Sequence, residues 1–295
     1  MKVLVYGAGV IGSRYASGLF DAGVDVTLLA RGARLDVLRT RGLLMAEGDD
    51  GPIRSVPVPI VDSPNYGNWD LILVAVRSHQ IAAVLESLAG VGGDVMFLQN
   101  WAAGPEPLHE ILGRDRVLLG FPNQGGVMDG DVVRYRRASA ATRLVSMPIG
   151  EPDGQTTPRL ERVVALFRTA GFAAKAEPRM DAWLRTHAAF EVPLGLAVHA
   201  VGGPDALAER PTAVRVMVDE IRLNLAAMPN PTVPGPFRIL RIVPAALLVP
   251  LFRRFLRSSV AAPLRTDSPA VTGELELIAD QLRASAIIRA AKLVA

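Results

Sequence analysis

Gly7-Ala8-Gly9-Val10-Ile11-Gly12 follows directly on the apolar run at residues 2–6 and leads into a stretch with helical spacing. A GxGxxG pattern alone is common. A strand before it and a helix after it form the context in which each glycine has its own task. Gly7 permits a tight turn, Gly9 removes the Cβ where a pyrophosphate meets the backbone, and Gly12 lets the helix lie close on the strand. The helix start then offers unpaired N–H groups to phosphate oxygens. Gly7, Ala8, Gly9, Val10, Ile11 and Gly12 are therefore the expected cradle of a dinucleotide.

The pattern that follows the turn agrees. Apolar runs at 24–30, 57–61, 69–76, 94–100 and 116–121 alternate with helix-like stretches at 11–22, 34–40, 80–88 and 107–112. Continuously apolar strands spaced by helix lengths predict a parallel sheet covered on both faces. Strands are expected again at 131–136 and 143–150, a helix at 159–170 and a last edge strand at 172–177. Beyond that the sequence becomes helical: 180–199, with Pro193 expected to kink or interrupt it, then 211–228, 237–257 with breaks at its prolines, and 272–291. The expectation is an α/β Rossmann domain with a parallel-rich sheet over residues 1–175, followed by an all-α domain over 176–295 for substrate and dimerisation.

The end of the second strand selects the cofactor. An NAD site places Asp or Glu there for the ribose 2′-hydroxyl. This chain has Leu29-Ala30-Arg31-Gly32. A guanidinium pairs with a 2′-phosphate and no carboxylate repels it, so NADP is favoured. Arg34 is a candidate helper, and Arg31 could equally be one surface arginine among many. At the C-terminal strand ends, where open α/β sheets bind ligands, stand Arg77-Ser78-His79-Gln80, Gln99-Asn100-Trp101 and the segment 122–126. Asn100 suits a hydrogen bond to a nicotinamide ribose or a substrate oxygen; its alternative is a turn-capping role. His79 could act as acid or base, or simply open the next helix at the cofactor edge.

Composition excludes several classes. No cysteine is present, so disulfides, thiolate catalysis and Cys-based zinc sites are ruled out. His79, His109, His187 and His199 form no metal-ligand spacing, and no metal is expected. Thirty-two basic against 29 acidic residues leave +3, too little for a nucleic-acid partner. The start of the chain reads as a strand rather than a signal peptide, and 242–252 is too short to span a bilayer. A cytoplasmic location is expected.

Together, GAGVIG, Arg31, AVRSHQ at 75–80, LQN at 98–100 and Trp183 at a helix start resemble the ketopantoate reductase family. The likeness is strong over the first domain and weakens towards residue 200. It implies NADPH-dependent reduction of a small 2-oxo acid such as ketopantoate, with Arg77 at a family lysine near the cofactor, Gln80 beside it, and Asn100 ending the fifth strand. Trp101 replaces the family's glycine. Matching on Trp183 puts Arg185 at the family's catalytic lysine, and Ala189 and Pro193 at its two asparagines. The family's later glutamate finds its nearest material in Glu274 and Glu276, with Ser258-Ser259 before it.

The lysine slot matters, because the chain's lysines are Lys2, Lys175 and Lys292. Arginine is a poor acid, but it can clamp a carboxylate and stabilise developing negative charge. His187 and Glu191 are four apart and share a helix face, so a His–carboxylate general acid is an option. The alternative for Arg185, His187 and Glu191 is interdomain or dimer contact. A non-catalytic NADP(H)-binding sensor is the competing reading of the whole. Residues 237–257 mix five arginines with large apolar residues. Their prolines argue against one long membrane-surface helix, so burial in the helical domain or against a second subunit, as in a homodimer, is expected instead.

Overall fold

The computed structural model describes all residues except 137–145, 229–230, 259, 262–263, 265–268 and 295. The chain divides into two compact units. Met1–Gln99 with Pro105–Met180 form the first, and Asn100–Gly104 with Asp181–Ala295 form the second.

The first unit opens with β1 (Lys2–Tyr6), α1 (Val10–Asp21), β2 (Asp25–Leu29) and α2 (Gly32–Arg41). There follow β3 (Leu43–Glu47), β4 (Arg54–Val56), β5 (Ile60–Val61), β6 (Leu71–Val74), α3 (Ile81–Leu88), β7 (Asp94–Leu98), α4 (Glu106–Leu112) and β8 (Val117–Gly120). The unit closes with β9 (Gly126–Asp129), β10 (Val132–Tyr135), β11 (Met147–Gly150), α5 (Pro158–Thr169) and β12 (Ala174–Ala176). Eight strands form one sheet in the order β12-β11-β8-β7-β6-β1-β2-β5. All its pairs are parallel except β11 with β8. β1, β2, β6, β7 and β8 are buried on both faces apart from their first residues, which is why they read as continuous apolar runs. The strand order reverses beside β1, between it and β6. That is the switch point at which such sheets hold ligands.

A second sheet, β4-β3-β10-β9, was not expected. Its strands are three to five residues long, and β9 is exposed throughout, so no apolar alternation marks it. In the first sheet, the run read as a strand over 57–61 pairs as β5 only at Ile60 and Val61. The strand expected from 143 begins at Met147, and residues 143–145 lie outside the described ones. The second sheet is pinned to α1: Arg54 donates from Nη2 to Ser17 Oγ at 2.8 Å and from Nη1 to Asp21 Oδ1 at 3.0 Å. Beneath α1, Tyr15 is fully buried with its ring edge-on to Phe167 and Phe172, so the helix is held from both sides.

The second unit is helical: α6 (Met180–Val201), α7 (Pro204–Ala208), α8 (Pro211–Ala227), α9 (Arg238–Ile242), α10 (Ala245–Leu256) and α11 (Pro269–Val294). α6 runs on through Pro193 and is not interrupted. Tertiary packing overrides the single backbone bond that proline removes: Val192 and Leu194 on either side of it are buried in the helical core. Pro244 does end α9, whereas Pro250 lies inside α10. Among the described residues, no helix is long and apolar enough to cross a membrane.

Candidate dinucleotide cradle and proton-transfer cluster

The three glycines of the turn have separable causes. Gly7 has φ +113°, and a Cβ there would stand 2.6 Å from Ala75 O. A Cβ on Gly12 would lie 1.8 Å from Gly7 O, so α1 can seat against β1 only without one. Gly9 differs. Its backbone is extended, at φ −73° and ψ −171°, which any residue adopts. A Cβ there would meet nothing within 4 Å. Neither conformation nor neighbours within the chain require glycine at this position. The open space it leaves faces the start of a helix that has no side-chain cap and no acid in its first turn. These residues fit an anionic dinucleotide.

Arg34 supports the turn through two of its three guanidinium nitrogens. Its Nε donates to Ala8 O at 3.2 Å and its Nη1 to Asp131 O at 3.0 Å, which ties the glycine turn to the β9–β10 hairpin. Arg31, by contrast, is exposed at the N-cap of α2, with its guanidinium 5.2 Å from the centre of the Tyr6 ring. Arg77 follows β6 and is half-buried, and Gln80 accepts from its backbone N–H at 3.1 Å. Gln80 thereby shapes the loop that carries Arg77. His79 is exposed.

Asn100 belongs with the helical unit, although it directly follows the end of a Rossmann strand. Residues 100–104 are held there by two bonds, and a third closes the segment on itself. Gln281 Oε1 accepts from Ala102 N at 2.9 Å, Ser285 Oγ donates to Ala102 O at 2.9 Å, and Trp101 Nε1 donates to Gly104 O at 2.5 Å. Gln281 lies 179 positions away from Ala102, and no local signal in the sequence could have found it.

This anchoring brings Asn100 to α6. Trp183, His187 and Glu191 follow one another at spacings of four and share one face. The Trp183 and His187 rings stack at 5.1 Å, nearly parallel at 11°. His187 Nε2 lies 2.8 Å from Glu191 Oε2. Burial pushes the Glu191 carboxyl up, but the charge of His187 and hydrogen bonds from His187 and Asn100 outweigh it and hold the carboxyl below its ordinary value. Asn100, His187 and Glu191 thus form one polar group, with His187 Nε2 and Glu191 Oε2 at ion-pair distance.

Arg185 does not join them. Two positions from His187 on a helix is about half a turn away, and its guanidinium pairs with Asp181. Ala189 is fully buried and Pro193 lies inside the helix, so neither slot carries an amide. Glu274 and Glu276 lie on α11; Ser258 follows α10, and Ser259 lies outside the described residues.

A Rossmann sheet with its phosphate-binding turn, followed by a helical unit, defines a dinucleotide-binding protein of two parts. The sequence model of the family described as ketopantoate reductase PanE/ApbA matches residues 3–148. On that half the chain belongs to the ketopantoate reductase family. A 2-dehydropantoate 2-reductase of Mesorhizobium japonicum is 33% identical over 105 residues, which is 34% of this chain and 32% of that protein. Another, from Pyrococcus horikoshii, is 26% identical over 185 residues, covering 62% of this chain and 58% of that protein. The matched stretches thus span about a third to three fifths of these relatives. The crystal structure of 2-dehydropantoate 2-reductase from Geobacter metallireducens shares the fold, with a TM-score of 0.67, 18% identity, and coverage of 97% of this chain and 100% of that one.

Proposed function

We infer that the chain is an NADPH-dependent oxidoreductase that reduces the carbonyl of a small 2-oxo acid, ketopantoate or a related compound. The observation that carries this reading is the His187–Glu191 pair with Asn100 beside it. It supplies acid–base chemistry where the family's lysine slot holds an arginine. The nicotinamide cofactor would supply a hydride to the carbonyl carbon. Arg31 would pair with its 2′-phosphate, the glycine turn and the start of α1 would hold its pyrophosphate, and Arg77 would stand at its edge.

As negative charge grows on the carbonyl oxygen, a proton must reach it. Glu191 beside Nε2 orients the His187 ring, and the imidazole is the group that would exchange this proton. Asn100 positions the pair and can donate from its amide to a substrate oxygen. Arg185, paired with Asp181, serves as a carboxylate clamp only by exchanging that partner. A binding-only sensor is the second reading, favoured by that same Arg185–Asp181 pair.

The deciding experiment follows NADPH oxidation with ketopantoate and a panel of 2-oxo acids, for the native chain and for His187→Asn. Turnover that drops about a hundred-fold or more in the variant, with NADPH affinity kept, supports the reductase and its acid. Turnover unaffected by the change removes His187 from the mechanism. Tight NADPH binding with no oxidation across the panel favours the sensor.

Cofactor choice is tested separately. Arg31→Ala should weaken NADPH about ten-fold or more, the scale of a charge-assisted phosphate contact, and leave NADH nearly unchanged. Equal weakening of both would remove Arg31 from the 2′-phosphate.

A further inference from the structure

α10 is apolar on two sides. Its inner residues Ala245, Leu248, Phe252 and Leu256 are buried in the helical core. On the outside, Leu247 is 64% exposed and Leu251 60%, and with Pro250 and Arg254 they form one stripe at helical spacing. α9, just before it, exposes Ile239 at 55% and Ile242 at 78%, with Arg238 and Arg241 exposed among them. A helix that faces water carries polar residues on that side, and this face departs from the rule. Burial within the helical domain, one of the two coverings expected for this segment, therefore accounts for one side.

Charge identifies what would cover the other side. Between Glu220 and Asp267 the sequence holds seven arginines and no acidic residue. One of them, Arg253, turns inward and donates to Ala208 O at 2.7 Å. Arg238, Arg241, Arg254 and Arg257 are exposed beside the bare isoleucines and leucines. A second copy of the chain is a poor occupant, because a two-fold contact would set the same arginines against one another with no carboxylate in the segment to meet them. An anionic lipid surface meets both properties at once: headgroup phosphates pair with guanidiniums while branched side chains enter the acyl boundary. The prolines do exclude one long surface helix, but they leave two short ones, each with apolar residues outward.

We propose that α9 and α10 form a peripheral docking face for anionic membranes. The inference stands independently of the reaction proposed above.

The test is co-sedimentation of the purified full-length protein with vesicles of phosphatidylcholine alone or mixed with phosphatidylglycerol, at low and high salt. The expected result is binding to the mixed vesicles only, released by salt. L247E/L251E should abolish it. Neutralising Arg238, Arg241, Arg254 and Arg257 to Gln should weaken it about five-fold per arginine. Should the glutamate pair melt early by circular dichroism, L247Q/L251Q, milder at the same exposed sites, replaces it. No binding to anionic vesicles, or binding unchanged by the Leu substitutions, overturns the proposal. So does a concentration-dependent dimer, seen by light scattering, that the same pair abolishes, since the face would then belong to a second copy.

Discussion

At the scale of single residues, Glu191 holds the balance of the helical unit's polar group. Its folded-state pKa is depressed, so the contact contributes stability above the ordinary carboxylate value of 4.5 and loses it as pH falls through the lower folded value. The native chain should therefore exceed Glu191→Gln in urea midpoint at neutral pH. The gap should close below the ordinary carboxylate range, as Glu191 itself takes up a proton. Parallel urea titrations at stepped pH check this; a gap that widens with acid would reverse the sign and remove the charge on Glu191 as its cause. The spacing of four between His187 and Glu191 was legible in the sequence, since a helix face is a local property. Asn100 as their third member was not, because its position depends on bonds to Gln281 and Ser285 far along the chain.

At the scale of elements, the glycine turn was legible because the positive φ of Gly7 and the contact of Gly12 with Gly7 arise within a few residues, whereas the sheet that braces α1 was not. The strands of that sheet are short, and β10 pairs with β3 across a long separation in sequence. Arg34, read as a candidate phosphate helper, also ties that sheet to Ala8. The three glycines should separate experimentally. Gly12→Ala forces a Cβ against Gly7 O and should destabilise the unit by at least the ~1–3 kcal/mol usual for overpacking. Gly9→Ala meets no neighbour within 4 Å, so its melting temperature without cofactor should stay near the native value, while NADPH affinity falls about ten-fold or more as the added methyl crowds the pyrophosphate. Thermal melts with and without NADPH distinguish them. A Gly9→Ala protein that binds NADPH normally would remove the pyrophosphate from this turn.

At the scale of the whole chain, the two units are not consecutive lengths of sequence. Residues 100–104 leave the Rossmann unit and return to it, and in between they belong to the helical one. Trp101 is only 8% exposed, and Ala102 is fully buried within the helical core cluster. A boundary drawn by composition near residue 175 sees the change from strands to helices but not this excursion, since five residues beside a buried strand carry no helical signature. The consequence is measurable in the fragment 1–180, which keeps the glycine turn and Arg31 but loses Gln281, Ser285 and the apolar residues over Ala102. NADPH should still raise the melting temperature of this fragment, because binding to the folded state stabilises it by mass action. Trp101, however, should be exposed. With Trp69→Phe in the fragment, and Trp69→Phe with Trp183→Phe in the full chain, Trp101 is the sole indole in each. Its emission should be red-shifted in the fragment and blue in the full chain. Blue emission in both would mean that the Rossmann unit itself shelters Trp101, and that the helices are not what holds Asn100 in place.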